Sequence, residues 1–134
     1  MKVYNINQNA EPKLGEFQDD RGVIKDIFYG LDINHGCIIT NQPGAVRGNH
    51  YHKHTTQYTY VLSGSMTYYS QPMDQSSPVQ SHACQPGDFV ISPPNEIHAM
   101  RAGTDGCTFI AFAGGPRGGE DYEKDTHRTE SIVT

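Results

Sequence analysis

Residues 43–52 read Pro-Gly-Ala-Val-Arg-Gly-Asn-His-Tyr-His, a turn-forming pair followed by a short run in which one tyrosine separates two histidines. Pro-Gly pairs favour turns, and the run that follows has the length of a β-strand. Side chains two residues apart in a strand lie on the same face, so His50 and His52 should point the same way. Two imidazoles on one face can share a metal ion at about 2.0–2.1 Å per nitrogen. This stretch therefore predicts part of a metal site.

Two further residues complete the predicted site. Gln57 begins the next predicted strand, which can pair with the first through a turn at residues 53–56, and its amide oxygen is a candidate ligand. His98 follows the turn-forming residues 93–95 on a third strand. His50, His52, Gln57 and His98 would hold a divalent transition metal (zinc, nickel, iron or manganese) with coordination positions left open. His54 is an alternative ligand to Gln57, because its side chain would lie on the same face as that of His52 if the strand continues that far.

The rest of the chain predicts an all-β domain. Helical periodicity is nearly absent, and short β-rich runs recur, each closed by Gly, Pro, Asn or Asp. Residues 71–80 have the composition of an exposed loop. Many short strands with frequent turns indicate a sandwich or a barrel. The predicted strands are Val23–Tyr29, Cys37–Thr40, Ala45–His52, Gln57–Ser63, Ser65–Ser70, Asp88–Ser92, Ile97–Ala102 and Thr108–Ala113.

Composition narrows the class of protein. A length of 134 residues predicts one domain, 1–134, with its core at about 17–113 and a C-terminal arm or tail at 114–134. The net charge of −5 without a basic cluster argues against a nucleic-acid partner. The chain has no apolar segment of membrane-spanning length and no signal-like N-terminus, so we expect no membrane association and a cytoplasmic location. Cys37, Cys84 and Cys107 lack metal-site spacing, and we interpret them as reduced thiols, mostly buried.

Two spaced patterns resemble the paired motifs of the cupin family. The first has Gly44, five residues, residues 50–52, four residues, Gln57, six residues and Gly64; the second has Gly87, five residues, Pro93 and then His98. The family usually has Glu at the position of Gln57, Gly at that of Asn95 and Asn at that of Ala102. The resemblance implies a double-stranded β-helix, also called a jelly-roll barrel.

Residues 17–24 and 43–52 resemble cupins that act on nucleotide sugars, and residues 122–128 resemble the tail of polysaccharide-biosynthesis cupins. That resemblance implies proton transfer next to a ketone, with His50 as the base, Arg47 as a cationic partner and a nucleotide sugar as the small-molecule ligand. Arg47 and His50 lie on opposite faces of a regular strand, so a bulge at Gly48 would be needed to bring them together. Arg47 could equally be a solvated surface residue, and residues 19–22 could equally form a charged turn.

The metal and base roles of His50 conflict, because a metal-bound imidazole nitrogen cannot accept a proton. The base would then be Tyr58, Tyr60 or a metal-bound water, although strand parity puts both tyrosines on the face opposite Gln57. Three classes of function remain open: a keto-sugar isomerase or epimerase, a metal-dependent oxygenase, and a non-catalytic binding protein. We also expect a homodimer, with contacts through Tyr4, Ile6 or the C-terminal arm, because small barrels tend to cover their strand edges.

Overall fold

The computed structural model describes residues 1–8, 13–116 and 119–134. These residues form ten β-strands and one short helix. In chain order they are β1 (Lys2–Asn5), β2 (Glu16–Asp19), β3 (Gly22–Lys25), β4 (His35–Asn41), β5 (Val46–Tyr51), β6 (Thr56–Pro72), β7 (Gln80–Cys84), β8 (Asp88–Ser92), β9 (Glu96–Gly114), α1 (Gly119–Lys124) and β10 (His127–Arg128).

Eight of the strands join one antiparallel sheet, in the order β1-β8-β6-β9-β5-β10, with β4 also on β9 and β7 also on β6. The two long strands β6 and β9 pair with each other from Thr56–Gly114 to Pro72–Glu96. The first half of β6 also pairs with β8 and its second half with β7. This all-β arrangement confirms the predicted jelly-roll fold.

Glycines placed at bends explain why four predicted strands merge into two. Gly64 (φ 76°) and Gly106 (φ 71°) lie where β6 and β9 turn, and the β6–β9 register shifts on both sides of Gly64. A Cβ on Gly64 would lie 2.1 Å from the carbonyl oxygen of Gly106. Glycine therefore lets the paired strands bend and continue here, where the sequence predicted them to end.

Other boundaries also differ from the predictions. The predicted strand Val23–Tyr29 ends at Lys25, and β1, β2, β7 and β10 were not predicted. The helix α1 was missed as well, because six residues are too few to show a helical period. Among the residues that the structure describes, β2 and β3 pair only with each other. Residues 19–22 form their turn, with Arg21 Nε donating to Asp19 Oδ2 at 2.9 Å.

The apolar core reaches His98, whose ring centroid lies 6.3 Å from that of the core residue Tyr68. Its buried members come mainly from β6 and β9, and two free cysteines, Cys84 and Cys107, are among them. Cys37 is a third free thiol and is half-buried. The core residues are Val61, Met66, Tyr68, Cys84, Val90, Met100, Ala102, Cys107, Phe109 and Ala111. In the described part of the chain, no helix has the length and hydropathy to cross a membrane.

The C-terminal segment packs on its own barrel. β10 pairs with β5, and Ile132 is buried against Tyr69 and Ile97. Tyr4 also packs within its chain, with its ring 5.1 Å from that of Phe89 and its hydroxyl donating to the Ile27 carbonyl. The arm and Tyr4 are therefore engaged intramolecularly, and the homodimer stays a prediction.

Candidate metal centre

His50 and His98 lie opposite each other on the neighbouring strands β5 and β9. The register of this pair shifts between Gly48 and His50, which confirms the bulge predicted there. Gly48 (φ 91°) and Asn49 (φ 57°) adopt left-handed backbone conformations, and the extra residue brings both Arg47 and His50 to the cavity wall. The bulge thus resolves the parity conflict between these two side chains.

His52 and His98 are oriented by backbone carbonyls. His52 follows the last residue of β5, is 2% exposed, and its Nδ1 lies 3.0 Å from the Asp125 carbonyl oxygen. The Nδ1 of His98 lies 3.3 Å from the Glu96 carbonyl oxygen. A carbonyl only accepts, so each Nδ1 carries the proton and each Nε2 keeps its lone pair. Both rings are held in the tautomer that a metal ligand needs.

The three imidazoles form one cluster. A ligating nitrogen from each of His50, His52 and His98 lies within 4.8 Å of the other two. The ring centroids are 4.9 Å apart for His50–His52, 4.8 Å for His50–His98 and 5.3 Å for His52–His98. Two nitrogens that share an ion lie at most about 4.2 Å apart, twice the metal–nitrogen distance. Small side-chain adjustments would therefore let all three reach one ion.

The surroundings keep His50 and His98 neutral. The pKa of His50 is lowered to about 4, mainly by burial and in addition by electrostatic repulsion from His52 and Arg128. Burial also lowers the pKa of His98 to about 3, with added repulsion from His50 and His52. A metal ligand must be unprotonated, so His50 and His98 are ready to coordinate at neutral pH.

A buried polar atom tests whether a metal fits here. Among the described residues, His98 Nε2 has no hydrogen-bond partner, although it is fully buried and faces the other two rings. Leaving such an acceptor unpaired costs about 1–3 kcal/mol, which a metal–nitrogen bond would offset. The donor set of three neutral imidazoles suits zinc, iron or nickel. The residues present fit a divalent transition metal.

The remaining predicted site residues fall into two groups. Gln57 lines the same cavity as His50 and His98, and Arg47 lines its wall, where its Nε donates to Asn41 Oδ1 at 2.6 Å. His54 lies elsewhere: β5 ends at Tyr51, and the His54 side chain is exposed in the turn before β6. Tyr58 faces away from the cavity and stacks on Phe89, as strand parity predicts.

The cluster opens into a cavity of about 570 Å³, large enough for a drug-sized ligand. Its lining includes four polar residues that the sequence analysis did not single out, namely His35, Thr59, Tyr68 and Tyr122. The buried hydroxyl of Tyr68 lies 2.6 Å from Ser92 Oγ, and burial raises the Tyr68 pKa well above its usual value. Thr59 is the inward neighbour of Gln57 on β6, so strand parity could have identified it.

Asp125 was also missed, and it ties the C-terminal arm to the metal centre. Its carboxylate accepts hydrogen bonds from the backbone of Lys53 (2.9 Å) and His54 (3.1 Å) and from the Thr55 hydroxyl (3.0 Å). Burial acts to raise the pKa of this carboxyl, but these donors outweigh it and the pKa lies below its usual value. The same residue supplies the carbonyl that orients His52, so the turn and the histidine are fixed together.

Comparison with known proteins identifies the family. The family model described as "Cupin domain" matches residues 37–112, which is more than half of the chain. A comparison with curated protein sequences gives no match.

Solved structures share the fold at low identity. A sugar 3,4-ketoisomerase from Thermoanaerobacterium thermosaccharolyticum, in complex with TDP, is 22% identical with a TM-score of 0.70 over 96% of this chain and 88% of that chain. A dTDP-4-dehydrorhamnose 3,5-epimerase from Sulfolobus tokodaii is 18% identical with a TM-score of 0.71 over 89% and 76%. The capsular polysaccharide assembling protein of Staphylococcus aureus is 19% identical with a TM-score of 0.66 over 89% and 33%. This chain therefore spans about a third of the Staphylococcus protein.

Proposed function

This chain belongs to the cupin family, and we propose that it holds one divalent transition metal on His50, His52 and His98 and binds a small-molecule ligand in the cavity beside it. The observation that carries the proposal is the buried cluster of three imidazoles, whose ligating nitrogens lie within 4.8 Å of one another. The unpartnered His98 Nε2 and the carbonyls behind His52 and His98 support it. Gln57 is the candidate fourth ligand, through its amide oxygen.

The charge of the site favours a particular kind of ligand. Among the described residues that line the cavity, none carries a carboxylate, and Arg47 contributes a positive charge. Three neutral imidazoles leave the 2+ charge of a metal uncompensated, so the centre would attract an anionic oxygen or a polarised carbonyl. The apolar remainder of the wall, including Ile39, Met100 and Phe109, would exclude water around such a ligand.

Metal analysis of purified protein tests this proposal. Protein prepared with supplemented metal should retain an ion that His98→Ala loses, because removing one of three ligands breaks the set. The matched control is His54→Ala, which removes an exposed histidine two residues from His52 and should leave the metal content unchanged. A content below about 0.1 ion per chain in the unaltered protein, or equal contents in both variants, contradicts the proposal.

A second, finer candidate is isomerisation or epimerisation of a keto sugar nucleotide. Structures with this fold include a variant of the same Thermoanaerobacterium ketoisomerase in complex with TDP-4-keto-6-deoxyglucose, 21% identical with a TM-score of 0.71. In this chain, Arg47 is held at the cavity wall by Asn41 and is placed to contact an anionic group. A bound metal would polarise a carbonyl oxygen.

Tyr68 adds a phenol hydroxyl to the cavity lining, which can donate a hydrogen bond to a ligand oxygen. Burial raises its pKa, so it would serve as a hydrogen-bond donor and not as an acid that gives up its proton. His50 can act as the base only where its nitrogen does not bind metal. Tyr58 is a poor alternative, because its ring packs on Phe89, away from the cavity.

Deuterium incorporation separates the three classes of function. Incubation with TDP-4-keto-6-deoxyglucose in D₂O should place deuterium at the carbon next to the ketone if the chain catalyses proton transfer, and Arg47→Ala should reduce the rate. Oxygen consumption by iron-loaded protein would instead indicate an oxygenase. Binding of the sugar nucleotide without exchange would indicate a non-catalytic binding protein.

The homodimer remains part of the proposal. Exposed apolar side chains lie on the β2–β3 hairpin (Phe17, Ile24) and on β4 (Ile38), and such patches tend to be covered by a partner. Sedimentation that gives the mass of one chain at micromolar concentration would contradict a dimer.

A further inference from the structure

A second group of metal-ligand side chains lies where β7 turns into β8. The ligating atoms of His82, Cys84 and Asp88 are all within 4.8 Å of one another. His82 Nε2 lies 3.5 Å from Asp88 Oδ2, too far for a good hydrogen bond. None of the three lines the cavity of the first cluster. The group is therefore separate from the site described above.

Local strand geometry brings the three residues together. His82 and Cys84 are two residues apart on β7, so their side chains lie on one face of the strand. The chain then reverses through residues 85–88, where Asp88 N donates to the Gln85 carbonyl at 3.0 Å and Gly87 has a φ of 90°. This tight turn returns Asp88 to the face that carries His82 and Cys84.

Hydrogen bonds from residues outside the cluster orient the carboxylate of Asp88. Asn5 Nδ2 donates to Oδ1 at 2.8 Å, and Gln85 N donates to Oδ2 at 3.0 Å. The Asp88 side chain is 5% exposed, and a buried carboxylate needs compensation by charge or by hydrogen bonds. Hydrogen bonds that hold a carboxylate in one orientation are typical of metal-ligating acids.

We propose that His82, Cys84 and Asp88 form a second metal site, which takes one zinc-like divalent ion through a nitrogen, a sulfur and an oxygen. Thiolate, imidazole and carboxylate are the ligand types that zinc prefers. A thiolate and a carboxylate together cancel the 2+ charge, so the loaded site would be neutral, which suits its two buried members, Cys84 and Asp88. The His82 side chain is 42% exposed and leaves the ion an entry path and a position for water.

Coordination replaces one bond at the sulfur. The Cys84 S–H bond breaks, its proton passes to solvent and the sulfur lone pair binds the ion, with no oxidation or reduction. The Cys84 thiol is 3% exposed among apolar residues, so without a metal it is unreactive towards thiol reagents.

Cobalt(II) substitution tests the site, because thiolate-bound cobalt gives a charge-transfer absorption band that imidazole-bound cobalt lacks. The metal-free protein titrated with Co²⁺ should develop this band and bind one ion that Cys84→Ala does not bind. The matched control is Cys37→Ala, which removes a half-buried thiol outside the cluster and should keep the band. His98→Ala, which alters the first cluster, should also keep it.

Two outcomes overturn the proposal. One is a protein that binds Co²⁺ at the histidine cluster without a thiolate band, and the other is a band that survives in Cys84→Ala. Asp88→Asn provides a second variant if Cys84→Ala folds poorly, and it should weaken Co²⁺ binding to this site at least tenfold, because it removes the charge of one ligand. If the histidine cluster bound no metal, the results expected for Cys84→Ala and Asp88→Asn would be the same. The proposals for the two metal sites can therefore be refuted separately.

Discussion

The neutral histidine cluster predicts that metal-free protein loses stability in mild acid. In the unfolded chain both histidines titrate near 6.5, whereas in the folded protein the pKa is about 4 for His50 and about 3 for His98. Between these values the unfolded state binds more protons than the folded state, so stability falls as the pH falls from 6.5. Above 6.5 neither state is protonated and the contribution is constant.

The expected loss of folding stability depends on how far the pH lies below 6.5, the pKa of a histidine in the unfolded chain. At about pH 5, which is 1.5 units lower, each histidine costs about 2 kcal/mol at 1.36 kcal/mol per unit, or about 4 kcal/mol for the pair. Urea unfolding of EDTA-treated protein at about pH 7 and about pH 5 measures this difference. With a slope of about 2 kcal/mol per molar, the midpoint should fall by about 2 M.

His98→Asn isolates the effect, because it removes one titrating group and should lower the pH-dependent loss by about 2 kcal/mol. The comparison also cancels the contribution of every other titrating group, because the two proteins share those groups. His54→Asn, in an exposed turn, should keep the full loss. Equal pH dependence in the unaltered protein and His98→Asn would refute the assignment of a buried, neutral His98.

Three substitutions test individual parts of the centre. Gln57→Glu should raise metal affinity about tenfold by adding a negative charge at the cavity, while exposed Gln42→Glu should not; unchanged affinity in a titration would exclude Gln57 as a ligand. Gly48→Ala should cost about 2 kcal/mol or more and weaken metal binding, because its Cβ would lie 2.6 Å from the His98 carbonyl oxygen at a φ of 91°; a wild-type urea midpoint would show that the bulge tolerates a side chain. Asp125→Ala should cost about 3 kcal/mol, because three donors lose their acceptor, whereas exposed Asp121→Ala should be nearly neutral; similar melting temperatures for both would contradict this role.

Much of the centre was predictable because it depends on local spacing. Strand parity puts His50 and His52 on one side, and the turn before His98 starts a strand that pairs with theirs. The bulge was predictable at Gly48, because Arg47 and His50 can reach the same side only with an extra residue between them and glycine supports a left-handed backbone. These features lie within a few residues of one another in the chain.

The missed parts depend on contacts between distant segments. Asp125 caps the turn at residues 53–55 across about seventy positions, and nothing in its neighbourhood marks it as a partner of His52. The continuity of β6 through Gly64 also depends on a distant residue, because Gly106 of the paired strand approaches it there. Sequence spacing alone does not distinguish such a bend from a turn that ends a strand.

Crystals grown with a divalent metal, with diffraction data collected at the absorption edge of that metal, test the central claim most directly. We expect one anomalous peak at about 2.0–2.2 Å from an imidazole nitrogen of each of His50, His52 and His98. A fully soaked crystal in which those three side chains have no anomalous peak between them, or in which His98 Nε2 bonds to a protein group instead, would contradict it.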